Sequence, residues 1–301
     1  MEFEILAEGL AFPEGPIPMA DGSILLVEIA AGRLTRVWGQ GRRETVAEIG
    51  GGPNGAAIGP DGAVYVCNNG GLSFIEMGGI LIPTIAAADY QGGRIERIDL
   101  GTGRIERLYD HVGENTLSGP NDLVFDSDGG FWFTDLGKVW PRQRDHGGLY
   151  WARPDGSQII EAVYGPGYNG VGLSPDGRHV YAAETLTGRL WDMEIISQGQ
   201  IAPGAFGMHG RCVASLPGFS MLDSLAVEAD GRVCVATLVQ GGITAFSLDG
   251  GVEHTPFPDP LVTNICFGGP DLRDAFITLS GTGKLIKARW PRPGLGLNFI
   301  A

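Results

Sequence analysis

The stretch "GPNDLVFDSDGG" at Gly119–Gly130 contains the pattern that decides the fold of this chain. Asn121 follows a proline there, a short apolar run comes next, and an Asp-Gly pair begins at Asp128. The stretch "GPNGAAIGPDGA" at 52–63 has the same form, and in both the asparagine stands eight residues before the glycine of the Asp-Gly pair. An Asp-Gly pair between two apolar runs is a strong hairpin signal. Each stretch is therefore predicted to be a β-strand that ends in a tight turn.

The same pattern occurs six times in the 301 residues, with an aspartate seven residues after a polar residue in each copy. In five copies a glycine follows the aspartate, whereas the sixth has Leu272, so its turn is expected to differ. The copies are spaced by 40, 67, 48, 54 and 41 residues, and a second and usually a third strand follow each turn. A β-sandwich or two small barrels would not explain six copies in one register. The sequence therefore predicts an all-β, six-bladed β-propeller that forms a single domain over residues 1–301.

Two segments lie outside the repeats. The stretch "FEILAEG" at 3–9 has strand character but no partner in its own repeat. We expect it to complete the sixth blade and close the ring, which removes an exposed sheet edge. The long interval before the third copy contains Gly70–Gly93, which is too apolar for a plain surface loop. This segment is expected to be either an extended hairpin or a flap over the channel mouth.

Composition limits the classes of function. The formal net charge is −14 and the pI is near 4.7, which argues against nucleic acid because phosphate binding needs clustered Lys and Arg. The N-terminal residues lack the features of a secretory signal, and no stretch approaches about 18 uninterrupted apolar residues, so no membrane span is expected. The cysteines show no CxxC spacing and are expected to be buried free thiols of a cytoplasmic protein. They are Cys67, Cys212, Cys234 and Cys266.

The polar residue of each repeat is a candidate ligand, and we call these six residues the polar ring. They are Glu14, Asn54, Asn121, Asn169, Asp223 and Asn264. The innermost strands of a propeller line its central channel, so residues that begin these strands lie on one face near the axis. Six oxygen donors without His or Cys suit a hard cation such as Ca²⁺, which takes about 6–8 oxygen ligands, and predict a central metal site. The alternative is that Asn and Asp only cap turns at the strand starts.

Other positions are given smaller roles. The second strand of each blade returns to the face of the polar ring, so Glu28, Asn68 and Asp135 are expected to lie behind the ring or on its rim. The aspartates of the turns lie at the opposite face and serve turn formation. His209 and His254 lie in predicted inter-blade loops and are expected to be surface or structural residues. The sequence contains no nucleophile elbow, metalloprotease motif, phosphate-binding loop or EF-hand loop.

Four ordered motifs resemble those of the gluconolactonase family, which includes the senescence-marker-protein lactonases and is related to diisopropyl fluorophosphatase and the Drp-type lactonases. The motifs are "FPEGP" at 12–16, "GPND" at 119–122, "YNGVGLSPDG" at 168–177 and "LDSLAVEADG" at 222–231. The resemblance continues to "VTNICFGGPDL" at 262–272 and so covers essentially the whole chain. The Arg and Glu that grip sugar hydroxyls in the sugar-lactone branch have no match here, and neither does the His dyad of the paraoxonase relatives.

The resemblance implies one divalent metal ion, with Ca²⁺ as the first expectation and Mn²⁺, Zn²⁺ or Fe²⁺ as alternatives. The implied metal ligands are Glu14, Asn121, Asn169 and Asp223. The residues implied for substrate contact are Asn54, Asn121, Asn264 and Ser224, the last because a neighbouring serine contributes to the metal region in the Drp-type branch.

The expected activity is metal-dependent hydrolysis of a small-molecule lactone, with the metal polarising the carbonyl group and Asp223 as general base. Direct nucleophilic attack by Asp223 is the alternative role. An organophosphate hydrolase with the same site and a non-enzymatic propeller scaffold with structural calcium are the alternative functions. The apolar segment 70–93 and the missing sugar-gripping charges favour an apolar lactone over a sugar lactone, without excluding the latter. A monomer or small homo-oligomer is expected.

Overall fold

The computed structural model describes residues 1–300 of the chain. These residues contain 31 β-strands, named β1–β31 in chain order, and a single three-residue 3₁₀ turn at Ala205–Gly207. Six antiparallel sheets of four or five strands and three two-stranded hairpins account for all of these strands. The predicted all-β, six-bladed β-propeller is confirmed. Within the same residues, no helix is both long enough and apolar enough to cross a membrane.

The first three blades follow the predicted repeats, with the innermost strand first. Blade 1 consists of β2 (Pro13–Pro18), β3 (Ile24–Glu28), β4 (Arg33–Gly39) and β5 (Arg42–Glu48). Blade 2 consists of β6 (Pro53–Ile58), β7 (Val64–Asn68), β10 (Arg94–Ile98) and β11 (Ile105–Tyr109). Blade 3 consists of β14 (Pro120–Phe125), β15 (Phe131–Asp135), β18 (Gly147–Ala152) and β19 (Ile159–Gly165).

The last three blades have the same plan. Blade 4 consists of β20 (Tyr168–Leu173), β21 (His179–Glu184), β22 (Arg189–Ser197) and β24 (Arg211–Ser215), with β23 (Gln200–Ile201) added to β22. Blade 5 consists of β25 (Met221–Val227), β26 (Val233–Leu238), β27 (Gly242–Phe246) and β28 (Val252–Pro256). Blade 6 consists of β29 (Val262–Gly268), β30 (Asp274–Leu279), β31 (Lys284–Arg289) and β1 (Phe3–Ala7). The remaining hairpins are β8 (Leu72–Met77) with β9 (Ile80–Ala86), β12 (His111–Val112) with β13 (Asn115–Thr116), and β16 (Val139–Trp140) with β17 (Gln143–Arg144).

Apolar side chains between neighbouring blades hold the ring together. Six clusters of buried apolar residues are present, one for each pair of adjacent blades. Between blades 2 and 3, Tyr65 packs edge-on against Phe125 with ring centroids 5.1 Å apart, and Phe125 contacts Phe131 at 5.3 Å. Successive side chains of a strand point to opposite faces of its sheet. Because each blade is covered on both faces, strands such as β3 are apolar at nearly every position rather than alternating.

The N-terminal strand closes the ring as predicted. β1 pairs antiparallel with β31, with Phe3 opposite Ala288 and Ile5 opposite Ile286, and it is the outermost strand of blade 6. The two ends of the chain therefore share one sheet, and β31 has a partner on both sides. A propeller joined in this way cannot open at that blade without breaking main-chain hydrogen bonds.

Deletion of residues 1–7 is expected to lower the free energy of unfolding by at least about 2 kcal/mol, because ladder hydrogen bonds and the burial of Ala7 are lost. The deletion also leaves β31 as an unpaired edge, which promotes association between molecules. Urea unfolding and size-exclusion chromatography measure the two effects. Deletion of residues 1–2, which precede β1, is the matched control, and equal stability of the two truncated chains would contradict the expectation.

The segment Gly70–Gly93, called the flap below, is a hairpin of β8 and β9. It leaves blade 2 on the face of the polar ring, and β9 contacts β16 of the blade 3 loop. At its far end, Leu81 N donates to Gly281 O of blade 6 at 2.8 Å. Phe74 packs against Phe12, just before the first residue of the polar ring, with ring centroids 5.3 Å apart. The segment is thus an extended hairpin and also covers part of the channel rim, so both expected descriptions apply.

The sixth turn differs from the other five, as predicted. Gly269 has a φ of 77°, and Arg273 O accepts from Trp290 N at 2.8 Å, whereas the corresponding Ser23 O of blade 1 accepts from Met19 N within the turn.

The sixth turn keeps one hydrogen bond of the other turns. Leu272 N donates to Gly269 O at 3.2 Å, as Gly22 N donates to Met19 O at 2.9 Å in blade 1. Leu272 has a φ of 55°, in the left-handed region that Gly22 occupies with a φ of 81°. The Leu272 carbonyl accepts a hydrogen bond from Gly294 N at 2.7 Å. Tertiary contacts therefore hold a leucine in a backbone conformation that costs on the order of 1–2 kcal/mol.

Candidate functional site

The residues of the polar ring lie at the starts of the six innermost strands, where the sequence places them. Their relative exposures range only from 2% to 9%. In blades 2–5 the pairing register shifts across the ring residue and the residue after it, and in blade 1 it shifts just after Glu14. Such a bulge interrupts the alternation of side chains and can redirect one toward the axis. In blade 6 the shift falls at Thr263, so Asn264 is in regular register, opposite Thr278.

Contacts between adjacent blades bring the ring residues together around the axis. Asn264 Nδ2 donates to Glu14 Oε2 at 2.7 Å, joining blades 6 and 1. Ser224 Oγ donates to Asn169 Oδ1 at 3.5 Å, joining blades 5 and 4. The innermost strands of blades 2 and 3 are so close that a Cβ at Gly55 would lie 2.5 Å from the Cα of Asp122. The strands that carry Asn54 and Asn121 are therefore neighbours at the same depth.

Three carboxylates from alternate blades interact across the ring: Glu14 of blade 1, Asp122 of blade 3 and Asp223 of blade 5. All three are buried. Burial and the charge of Glu14 raise the pKa of Asp122 to about 8. Burial, together with Glu14 and Asp122, raises the pKa of Asp223 well above its ordinary value. Burial also raises the pKa of Glu14, although Asn264 partly offsets this effect by hydrogen bonding. The fold thus concentrates negative charge at one point, which favours a cation there.

Asp122 is a candidate site residue that the sequence interpretation missed. Its carboxylate accepts from Leu123 N at 2.9 Å, and its own main-chain N–H donates to Thr134 Oγ1 at 3.1 Å. The residue after each ring residue is Gly in blades 1, 2 and 4, Ser224 in blade 5 and Ile265 in blade 6. Asp122 is the one carboxylate at that repeat position. Comparison of this position among the six repeats could have identified it from the sequence.

One oxygen of the site has no partner among the described residues. Asn121 Oδ1 is buried, yet it accepts no hydrogen bond. A buried polar atom without a partner is costly, so it indicates a group that the protein chain itself does not supply. Within residues 1–300, no group of three or more His, Cys, Asp and Glu side chains could hold a metal ion by itself. A cation here would need amide oxygens as well as carboxylates, and the unpartnered Asn121 oxygen fits that requirement.

Glu28, Asn68 and Asp135 lie behind the ring, where each holds the loop that leads into an innermost strand. Glu28 Oε2 accepts from Ala11 N at 2.7 Å. Asn68 Oδ1 accepts from the main-chain N–H of Gly52 at 2.9 Å, and Asp135 Oδ1 accepts from that of Gly119 at 2.8 Å. Since these loops run directly into Glu14, Asn54 and Asn121, the three residues position ring side chains without forming part of the ring.

The structure also places the turn aspartates, the two histidines and the cysteines considered in the sequence analysis. Five of the six turn aspartates accept hydrogen bonds within their own turns at the opposite face, as Asp230 does from Arg232 N at 3.1 Å. In blade 3 this acceptor is Asp126 rather than Asp128. His254 lies on the outer strand β28, with its Nδ1 3.0 Å from Thr244 Oγ1, and is remote from the ring. His209 is exposed. Three cysteines are buried free thiols as expected, whereas Cys212 is exposed, because it lies on the outer strand β24.

A cavity of about 580 Å³ lies behind the ring and reaches Asp122 and Asn264 from the opposite face. Its far end is bounded by the C-terminal residues Leu295–Asn298 and Ile300. Asn298 Nδ2 donates to Phe125 O at 3.0 Å, which fastens this segment across the channel. The C-terminal segment therefore narrows the channel at that end.

The chain matches proteins of known families over most of its length. The model of the SMP-30/Gluconolactonase/LRE-like region matches residues 12–281. The lactonase drp35 of Staphylococcus haemolyticus is 31% identical over 255 residues, covering 82% of this chain and 69% of that protein. The gluconolactonase of Zymomonas mobilis is 24% identical over 300 residues, covering 88% of this chain and 75% of that protein.

A solved structure has the same fold. The gluconolactonase of Xanthomonas campestris superposes with a TM-score of 0.74 at 22% identity, covering 96% of this chain and 89% of that one. The structural match agrees with the six-bladed architecture, and the family match spans every strand that carries a residue of the polar ring. The chain belongs to the SMP-30/gluconolactonase/LRE-like family.

Proposed function

We propose that this protein is a hydrolase that opens lactone rings at the polar ring with the help of one divalent cation. The observation that carries the proposal is the set of three buried carboxylates beside the unpartnered Asn121 oxygen. Membership of a family whose relatives are named lactonase and gluconolactonase supports the reaction class. A scaffold protein would gain nothing from burying like charges together, since their mutual repulsion lowers stability.

The residues that would hold the cation are Glu14, Asn121, Asn169 and Asp223. Their donor set is two carboxylates and two amides, all oxygen, which suits Ca²⁺ better than Zn²⁺ and leaves Mn²⁺ and Fe²⁺ as alternatives. When bound, a divalent cation would polarise the lactone carbonyl and stabilise the negative charge that develops on its oxygen. Asn54 and Asn264 begin strands beside these four residues and are proposed to contact the substrate.

Asp223 is proposed as the general base. Asp223 is a buried carboxylate of the site, and a carboxylate held beside the lactone carbonyl can accept a proton from the attacking water. It would take a proton from the attacking water and return it to the alkoxide that leaves when the ring C–O bond breaks. Ser224 N donates to Asp223 Oδ1 at 3.1 Å and so limits rotation of the carboxylate. Direct attack by Asp223 on the carbonyl carbon is the alternative role.

The flap supports a lactone with an apolar substituent. β9 reads "ILIPTIA", and its side chains Ile80, Leu81, Ile82 and Pro83 are only partly exposed. Phe74 and Phe12 form an aromatic contact at the rim. An alkyl or aryl group of a substrate that enters from this face would leave water for an apolar surface, which contributes about 25 cal/mol for each Å² buried.

A panel of substrates tests the proposal. We expect hydrolysis of both γ-nonalactone and δ-gluconolactone above the spontaneous rate, with kcat/KM at least about tenfold higher for the alkyl lactone because of the apolar flap. Acid release measured with a pH indicator gives the rates, and a phosphotriester in the same panel tests the organophosphate alternative. Hydrolysis of the phosphotriester without any lactone hydrolysis would contradict the proposal. Turnover of none of these substrates would favour the scaffold.

A further inference from the structure

Lys138 is a buried lysine that the proposed reaction does not use. It follows β15 in blade 3, on the face of the polar ring, and is only 1% exposed. Its Nζ donates to the main-chain oxygen of Asn69 and, at 3.0 Å, to Asn69 Oδ1. Fully buried lysines are rare unless they are paired, because removing an ammonium group from water is costly. Asn69 belongs to blade 2 and directly precedes the flap.

Lys138 contacts both places where the flap joins the propeller. At the first, Asn69 Oδ1 also accepts from Gly71 N at 2.9 Å, and Gly71 has a φ of 109°. At the second, the Tyr90 ring centroid lies 5.0 Å from Lys138 Nζ, and Tyr90 Oη donates to Ser118 O at 2.7 Å. Glycine at a left-handed position suits a hinge, because it changes backbone conformation at little cost. The side chain of Lys138 therefore contacts the chain at both ends of the hairpin.

The far end of the flap is held more weakly. Its contacts with the opposite rim include the hydrogen bond from Leu81 N to Gly281 O and the ring contact between Phe74 and Phe12. The tip residues Ile75 and Met77 are 52% and 64% exposed. A segment with few buried contacts at its tip opens locally at low free-energy cost, and the contacts at its base decide how often it does so.

We propose that Lys138 is a positioning residue that holds both ends of the flap and thereby sets how often the flap closes over the lactone site. The importance of Lys138 for catalysis rests on the proposed lactonase function. Its control of flap opening does not depend on that function. Opening would expose Lys138 to water, because Tyr90, which covers it from the flap, moves with the flap.

The protonation state of Lys138 is expected to bias this equilibrium. Burial lowers the pKa of Lys138 to about 7, and the opposing effects of Asp135 and Asp145 do not overcome it. Tyr90, the other titratable group against it, is neutral because burial raises its pKa to about 12. Since Lys138 has the lower pKa in the closed flap, protonation favours the open flap, and closure strengthens as the pH rises through about 7.

Hydrogen exchange of the flap amides tests the inference without any substrate. In the wild type, the opening constant of residues 72–86, corrected for intrinsic exchange rates, should be about tenfold larger at pH 6 than at pH 8. Lys138→Met should abolish this pH dependence and lower the protection of the flap at pH 8. Lys138→Arg, which cannot lose its charge, should keep the flap open at both pH values. Lys287→Met removes a half-buried lysine of blade 6, which pairs with Asp274 away from the flap, and its flap exchange should match that of the wild type.

Each result decides the inference. Equal flap protection at pH 6 and pH 8 in the wild type would overturn it, and so would an unchanged pH dependence in Lys138→Met. If either variant fails to fold, competitive acetylation of the wild type decides instead, because the chain has only three lysines: Lys138, Lys284 and Lys287. The inference is supported if the acetylation rate of Lys138 changes with pH in parallel with the opening of the flap measured by hydrogen exchange. It is overturned if the two do not change together. In a lactone assay, Lys138→Met should raise KM more than it lowers kcat, and absence of all lactonase activity would refute the proposed function alone.

Discussion

Asp223→Asn is expected to lower kcat/KM for lactone hydrolysis by at least about a thousandfold while the propeller stays folded. The amide that replaces the carboxylate cannot accept the proton of the attacking water, and it brings one less negative charge to a cation. The fold should survive, because Asp223 is one of three buried carboxylates whose repulsion disfavours the folded state. Without added cation, the Tm of the variant should therefore equal or exceed that of the wild type.

Asp230→Asn is the matched control for this substitution. Asp230 lies in the same hairpin of blade 5, but in the turn at the opposite face, where it accepts from Arg232 N at 3.1 Å. Its substitution should leave kcat/KM within about twofold, as for other exposed residues far from the site. Full activity of Asp223→Asn would rule out both roles proposed for this residue. After a single turnover in H₂¹⁸O, ¹⁸O in Asp223 would show nucleophilic attack followed by hydrolysis at the aspartyl carbonyl, because a general base keeps its own oxygens.

Removal of divalent cations is expected to abolish lactone hydrolysis, and added Ca²⁺ should restore it and raise the Tm by roughly 5–10 °C. The physical reason is the same cluster of carboxylates. Burial and mutual repulsion raise the pKa values of Asp122 and Asp223, and a bound cation would offset that repulsion in the folded state alone. Differential scanning fluorimetry with and without Ca²⁺ gives the shift, and the pH-indicator assay gives the activity.

Asn121→Ala shows whether the stabilising ion occupies the polar ring. The substitution removes the unpartnered buried oxygen, so the rise in Tm on adding Ca²⁺ should fall to less than about half of the wild-type value. Asn115→Ala changes an exposed asparagine of β13 and is the matched control. If lactonase activity survives thorough chelation and no divalent ion changes the Tm, the proposed metal dependence is wrong.

The repeat pattern was sufficient for the fold because each of its parts has a local physical meaning. Aspartate at a turn bonds its own backbone, and it stands seven residues after the polar residue in all six copies. The unpaired segment at 3–9 left one place for a strand, and β1 fills it. The missing glycine correctly predicted that the sixth turn differs, but the sequence did not show which conformation it adopts. Leu272 adopts a glycine-like backbone because of Gly294, which lies more than twenty residues later in the chain.

The candidate site was predicted in part. Strand starts are local features, so the six residues of the polar ring could be listed from the sequence. Asp122 was missed because its neighbour Asn121 already filled the repeat position, and nothing local indicated that its carboxylate would interact with Glu14 and Asp223. The role of Lys138 was equally invisible, since its partners Asn69 and Tyr90 belong to another blade and to the flap.

The sequence by itself determined the number of blades, the strands that line the axis and the oxygen chemistry of the residues that begin them. These features follow from periodicity and turn residues, which act over a few positions. Only the tertiary structure decided which carboxylates share one buried volume, which oxygen lacks a partner and how the flap is held. Those features depend on distances between blades, because electrostatic interactions and desolvation act through space and not along the chain.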